Sequence, residues 1–187
     1  MGDALLAIDI QNDFLPGGRL AVADGDQVIP AMNKYIECFI HRQLPVFATR
    51  DWHPKNHHSF VQQGGPWPEH CIAGSTGAEF PDSLHLPAAV HIISKGTEAE
   101  TDGYSGFTNP GLKQQLEKLS ASRLFIGGLA TDYCVFNTVC DALNLNYQVL
   151  LLTDAVRAVN VNRQDGELAI KKMILKGAMP ITWAMIQ

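Results

Sequence analysis

Leu124-Phe125-Ile126-Gly127-Gly128-Leu129-Ala130-Thr131-Asp132-Tyr133-Cys134 passes from an apolar β-type run, through glycines, into a helix-like stretch that continues to Leu145. A strand that turns sharply into a helix leaves backbone N–H groups unpaired at the helix start, and the positive end of the helix dipole favours a thiolate there. Such donors can also hold an oxyanion. Cys134 is therefore a candidate nucleophile. Taken alone, the same placement better suits an inert buried cysteine, because cysteine is among the most buried residue types.

Outward from this stretch, strands alternate with helices. Apolar β-type runs are predicted at Leu5–Ile10, Val46–Thr49, Val90–Ile93, Arg123–Ile126 and Tyr147–Leu152, with a weaker sixth at Met179–Thr182. Most carry apolar residues on both faces, the signature of buried parallel strands. Helical periods link Val28, Met32, Ile36, Phe39 and Ile40, then Leu112, Leu116 and Leu119, and recur over Asp132–Leu145 and Asn162–Leu175. The expected architecture is a three-layer α/β sandwich. Asp51–Leu86 alone has no clear period and is rich in Gly, Pro, His and Trp. A loop of that length inside a compact domain is usually functional.

Composition narrows the ligand class. With 187 residues, 46% of them hydrophobic and 18% charged, the chain reads as one globular domain with a sizeable core. A formal net charge of −5 supplies no basic stripe, so nucleic acid is a poor partner and a small molecule the expected one. No apolar run approaches bilayer length and Met1-Gly2-Asp3-Ala4 lacks a basic n-region, so no membrane partner and a cytoplasmic location are expected. Cys38, Cys71, Cys134 and Cys140 have neither zinc-ribbon spacing nor disulfide-scaffold density and read as reduced thiols.

Open α/β sheets bind ligands outside the carboxyl ends of their strands. Asp9 falls at the end of the first predicted strand, Asp51 just after the second, Lys95 two residues beyond the third, and Cys134 after the turn that follows the fourth. Singly, these could be a turn cap, a solvated acid, a surface lysine and a core cysteine; together at one sheet edge they compose a site. A thiol with a reference pKa near ~8.5 needs a carboxylate to accept its proton and a cation beside it. Asp9 and Lys95 meet those needs. Histidine is the commoner base, but the histidines cluster elsewhere, in Asp51-Trp52-His53-Pro54-Lys55-Asn56-His57-His58 and in Trp67-Pro68-Glu69-His70-Cys71. Asp51 and His53 are alternate residues that point to one side of an extended segment, and His70 can return across the loop. One carboxylate with two imidazoles makes an open divalent-metal site; spacing alone also allows a hydrogen-bonded histidine cluster without metal. His57 and His58 rank behind, as supporting or structural residues.

Taken as an ordered set, these segments resemble the nicotinamidase branch of the isochorismatase-like cysteine hydrolases. The matching pieces are Ala7-Ile8-Asp9-Ile10-Gln11-Asn12-Asp13-Phe14 with Pro16-Gly17-Gly18, Thr49-Arg50-Asp51-Trp52-His53-Pro54, Trp67-Pro68-Glu69-His70-Cys71, Lys95-Gly96 leading into Tyr104-Ser105-Gly106-Phe107, and Gly127 through Cys134. The resemblance implies an α/β/α sandwich with a six-stranded, mostly parallel sheet. It implies Asp9, Lys95 and Cys134 as catalytic triad, and Asp51, His53 and His70 as ligands of one divalent ion, zinc in the first place with iron and manganese as alternatives. It further implies a cis Leu129–Ala130 peptide whose Ala130 N–H joins that of Cys134 in an oxyanion hole, and a pyridine pocket lined by Phe14, Trp67 and Tyr104. The implied reaction hydrolyses nicotinamide to nicotinate and ammonia, with pyrazinamide as a further substrate; homo-oligomerisation stays open. Two rival readings remain: another superfamily substrate, such as isochorismate or an N-carbamoyl amine, and a catalytically silent binding module. The rival branches do not generally carry the metal set, and all three triad positions are occupied here.

Overall fold

In a computed structural model describing residues 2–186, the strands are β1 (Gly2–Ile8), β2 (Val46–Asp51), β3 (His91–Lys95), β4 (Ala121–Leu129), β5 (Gln148–Arg157) and β6 (Met179–Ile181). They form one sheet in the order β3-β2-β1-β4-β5-β6, and every pairing is parallel, so the sheet is wholly rather than mostly parallel. Four helices cover it: α1 (Val28–His41), α2 (Pro110–Lys118), α3 (Phe136–Asn144) and α4 (Asp165–Leu175). Alternation along β1 explains the three layers. Leu5 and Ala7 join Val28, Met32, Tyr35, Ile36 and Phe39 of α1 in one apolar cluster. Ala4, Leu6 and Ile8 join Leu112 of α2, Val139 of α3 and Met173 of α4 in another, because successive strand residues face opposite sides. Each Val, Leu, Ile, Phe or Met side chain among these, fully buried, contributes about 1.5–3 kcal/mol. None of the described helices is long and apolar enough to cross a membrane.

Element ends differ from expectation where the chemistry lies. The first strand stops at Ile8 instead of Ile10, because Asp9 adopts φ 47°, in the left-handed region that Asp tolerates better than most residues. β2 and β3 run further than their apolar runs, and the register pairs Asp51 with Lys95 at the two strand ends. The helix expected from Asp132 divides into a five-residue π-helical turn, Thr131–Val135, and α3, while α4 begins at Asp165 rather than Asn162. Within 51–86 regular structure after β2 is limited to short 3₁₀ turns at Val61–Gln63 and Thr76–Ala78 and to isolated bridges, His53 with Ile72 and Phe60 with Trp67.

The strand order reverses direction around β1, which makes the crevice between the carboxyl ends of β1 and β4 the expected ligand site. Gly128 closes the base of that crevice opposite Ile8. Its φ is 125°, and a Cβ there would lie 2.1 Å from the Ile8 carbonyl oxygen. Gly128→Ala should therefore destabilise the fold by about 3 kcal/mol or more, through backbone strain and overpacking together. Urea unfolding measures this directly; a loss below about 1 kcal/mol would show that the strands separate freely there.

Candidate active site and metal centre

Lys95 ends β3 with its side chain wholly buried. Its Nζ lies 2.5 Å from Asp51 Oδ1 and 2.7 Å from Asp9 Oδ2, donates to the Gly103 carbonyl at 2.7 Å, and stands 3.5 Å from Cys134 Sγ. A buried ammonium is tolerable only when paired and hydrogen-bonded in this way. Burial alone would lower its pKa, but Asp51 and Asp9 outweigh burial and hold it well above the ordinary lysine value. Lys95 is a fixed cation.

Asp9 is oriented by Thr49, whose hydroxyl donates to Oδ1 at 2.6 Å. The other oxygen, Oδ2, meets Nζ as an ion pair without an aligned hydrogen bond. Carboxylate and thiol are close, since the candidate ligand atoms of Asp9, Asp51 and Cys134 all lie within 4.8 Å of one another. Burial pushes the Asp9 carboxyl above its usual range against the opposing pull of Lys95. Burial also raises the Cys134 thiol well above the ordinary cysteine value; Lys95 opposes this, and Asp9 and Asp51 add to it. Burial thus opposes the thiolate that a helix start favours. Cys134 lies in a π-helical turn, 6% exposed and beside the Asp9 carboxyl.

The second cluster lies on the far side of Asp51. Ligand atoms of Asp51, His53 and His70 fall within 4.8 Å of one another, and all three residues are buried. His53 Nδ1 lies 2.8 Å from the Gly96 carbonyl and His70 Nδ1 lies 2.8 Å from that of Pro68. A carbonyl can only accept, so both Nδ1 atoms carry the proton and both Nε2 lone pairs are left for a ligand. Gly96 permits the first of these bonds: its φ is 58° and a Cβ would fall 2.4 Å from the His53 ring. Burial lowers the His70 pKa, keeping that imidazole neutral. Burial would raise Asp51, but the Lys95 charge carries it well below the usual carboxylate range. One ionised carboxylate and two imidazoles with preset tautomers fit a divalent cation. The alternative grouping of Asp9, Asp51 and Cys134 surrounds the Lys95 ammonium, which is already its cation.

His57 lies outside this donor group. Its ring is 4.1 Å from that of His53, and both nitrogens are engaged, Nδ1 with Ser59 Oγ at 2.7 Å and Nε2 with the Thr101 carbonyl at 3.2 Å. Burial, helped by His53, lowers its pKa to about 4. His58 faces Asp102 at 3.3 Å, and its backbone N–H holds the Ala99 carbonyl.

Between thiol and histidines opens a cavity walled by Phe14, Trp67, Tyr104 and Tyr133, with Leu20 and Val159 at its edge. Trp67 Nε1 donates to the Tyr104 hydroxyl at 2.9 Å, and the Trp67 and Tyr133 rings meet edge to face at 5.1 Å. Ala130 is buried; the Leu129–Ala130 peptide is cis, and among the described residues its N–H has no acceptor. Several residues that the sequence reading did not assign support the site. Thr49 and Gln11 stand inside the recognised motifs, and Gln11 brackets Asp51 by accepting its N–H at 2.7 Å and donating to its carbonyl at 2.8 Å. Tyr133, next to the nucleophile, was equally legible. Leu20, Val159 and the Gly103 carbonyl carry no sequence signal.

The chain belongs to the isochorismatase family: the family's domain model, "Isochorismatase domain", matches residues 3–185. It is 39% identical to a nicotinamidase of Escherichia coli K12 over 97% of this chain and 95% of that one. Among solved structures it resembles the pyrazinamidase of Pyrococcus horikoshii in complex with zinc, with a TM-score of 0.93 and 43% identity, covering 98% of this chain and 100% of that one. It also resembles PnC1 from L. infantum in complex with nicotinate, with a TM-score of 0.88 and 36% identity, covering 98% and 93% of the two chains.

The paired burial around Lys95 sets a pH-dependent expectation. Lys95→Met keeps the bulk and removes the charge, leaving Asp9 and Asp51 buried without a cation, at a cost of about 3–5 kcal/mol near neutral pH. In the variant both carboxyls acquire folded pKa values above their unfolded value of about 3.9. Their protonated forms then favour the folded state, so the deficit against the parent should be full at about pH 8 and shrink as pH falls toward about 5. Urea unfolding of both metal-free proteins at the two pH values measures it. A deficit independent of pH would contradict the pairing.

Proposed function

We propose that this isochorismatase-family chain is an amidohydrolase that converts nicotinamide and water to nicotinate and ammonia. One observation carries the reading: the Cys134 thiol, backed by the buried Asp9 carboxylate and Lys95 ammonium, lines an aromatic-walled cavity together with an Asp51, His53 and His70 donor set. Aromatic walls accommodate a flat ring. The donor set gives that ring an anchor, a function that isochorismate or an N-carbamoyl amine does not require.

Binding of the carboxamide brings its carbon to Sγ. Asp9 takes the thiol proton on the oxygen not held by Thr49, and Sγ forms a bond to the carboxamide carbon as the carbonyl electrons move to oxygen. The Ala130 and Cys134 N–H groups hold that oxyanion. Asp9 returns the proton to the amide nitrogen, the C–N bond breaks, ammonia leaves and a thioester remains. Asp9 then accepts a proton from water, the hydroxide displaces Sγ, and nicotinate forms as the thiol is restored. Lys95 stays charged throughout and stabilises whichever partner is ionised. Asp51, His53 and His70 would hold a divalent ion, with zinc the first candidate, which would supply a Lewis acid for anchoring the ring.

Cys134→Ala should abolish ammonia release from nicotinamide, whereas Cys38→Ala and Cys140→Ala, away from the cavity, should retain most of it; full activity in Cys134→Ala would rule out the covalent route. His53→Ala should lose a bound divalent ion, scored by elemental analysis, and with it productive nicotinamide binding. Pyrazinamide, which keeps a nitrogen at the nicotinamide position, should be hydrolysed readily. Benzamide, which lacks that nitrogen, should be turned over poorly, because the anchor is left without its partner. Equal turnover of benzamide and nicotinamide would remove the anchor and favour the isochorismatase-like alternative.

A further inference from the structure

Asp132 lies two residues before Cys134 in the π-helical turn, yet its carboxylate takes no part in the chemistry above. Its Oδ1 accepts the Val159 N–H at 2.9 Å, and its Oδ2 accepts the Asn160 N–H at 2.8 Å. Both residues lie beyond the end of β5, and among the described residues neither N–H has a backbone acceptor. Asn160 adopts φ 54° and its side chain in turn accepts the Gly166 N–H at 2.9 Å, at the start of α4. The short segment is thus held on one side by the turn that bears the nucleophile and on the other by α4. Its inward residue, Val159, lines the reaction cavity alongside Tyr133 and Cys134.

We infer that Asp132 is a positioning residue for substrate fit: by clasping two successive backbone N–H groups it seats Val159 as an apolar wall at a fixed place relative to Cys134. Hydrogen bonds to an ionised carboxylate are among the stronger ones, and two from one side chain fix orientation as well as distance. The inference rests on the nicotinamide reading of the cavity and deepens it, by assigning part of the ring's confinement to a residue that does not touch the ring.

The test compares the parent with Asp132→Ala, Asp132→Asn, Val159→Ala and the Asp132→Ala/Val159→Ala pair. For Asp132→Ala the KM for nicotinamide should rise on the order of tenfold while kcat stays within about threefold, because ground-state fit is lost and the triad is not. Asp132→Asn keeps one acceptor oxygen and should show a smaller rise. The pair should be little worse than Asp132→Ala, since the wall is already displaced. Amide exchange should show the Val159 and Asn160 N–H groups protected in the parent and exposed in Asp132→Ala, with β4 unchanged. A fall in kcat at constant KM, or unaltered kinetics with only a lower Tm, would overturn the assignment. A parent that does not turn over nicotinamide would sink the functional reading alone. Undiminished protection of Val159 and Asn160 in Asp132→Ala, or of those amides in Asp132→Asn should the alanine variant not fold, would sink the clasp whatever the substrate.

Discussion

A single buried ammonium holds the site together. Lys95 Nζ gathers Asp9 from the end of β1, Asp51 from the end of β2 and the Gly103 carbonyl, and stands beside the Cys134 sulfur. Without that cation, two carboxylates and a thiol would crowd a volume from which water is excluded, and like charges in such surroundings cannot all ionise. With it, in the proposed reaction, one carboxylate stays ionised for a metal while the other retains an oxygen for the proton of the nucleophile. Asp9 and Asp51 therefore serve different chemistry through one shared partner. A change of charge in either half of the site is felt in the other.

That arrangement depends on the sheet being wholly parallel. Parallel strands bring all their carboxyl ends to one edge, and the register opposes Asp51 to Lys95 and Ile8 to Gly128. Side chains more than forty residues apart in sequence thus become neighbours without any long-range device beyond strand pairing. The aperiodic segment after β2 then folds over this edge, bringing His70 and Trp67 into the cavity that Tyr104 and Tyr133 complete.

Much of this was legible in the chain, for identifiable reasons. Continuous apolar runs disclosed buried strands, and the polar residue following each run disclosed the reactive edge, so Asp9, Asp51, Lys95 and Cys134 could be named together. Strand ends were less legible. Apolarity fades at Thr49 and Ile93, yet backbone pairing continues to Asp51 and Lys95, because the polar residues there satisfy one another rather than water. The surroundings of the thiol were less legible for a related reason: a helix-start signal is local, whereas the burial that raises the Cys134 pKa comes from residues distant in sequence. Thr49 and Gln11 escaped assignment because their value lies in partners forty residues away. Val159 has no chemical signature at all, and the Asp132 carboxylate that accepts its N–H is 27 residues away.

Covalent attack by Cys134 is the claim on which the rest turns, and it is tested most directly by quenching the protein in acid during turnover of nicotinamide and mapping the adduct by mass spectrometry. A nicotinoyl group on the peptide carrying Cys134, formed and lost on the timescale of turnover, is the expected result. Ammonia release with no acyl adduct at any point, or with the adduct on another residue, would contradict the assignment of Cys134 as the nucleophile.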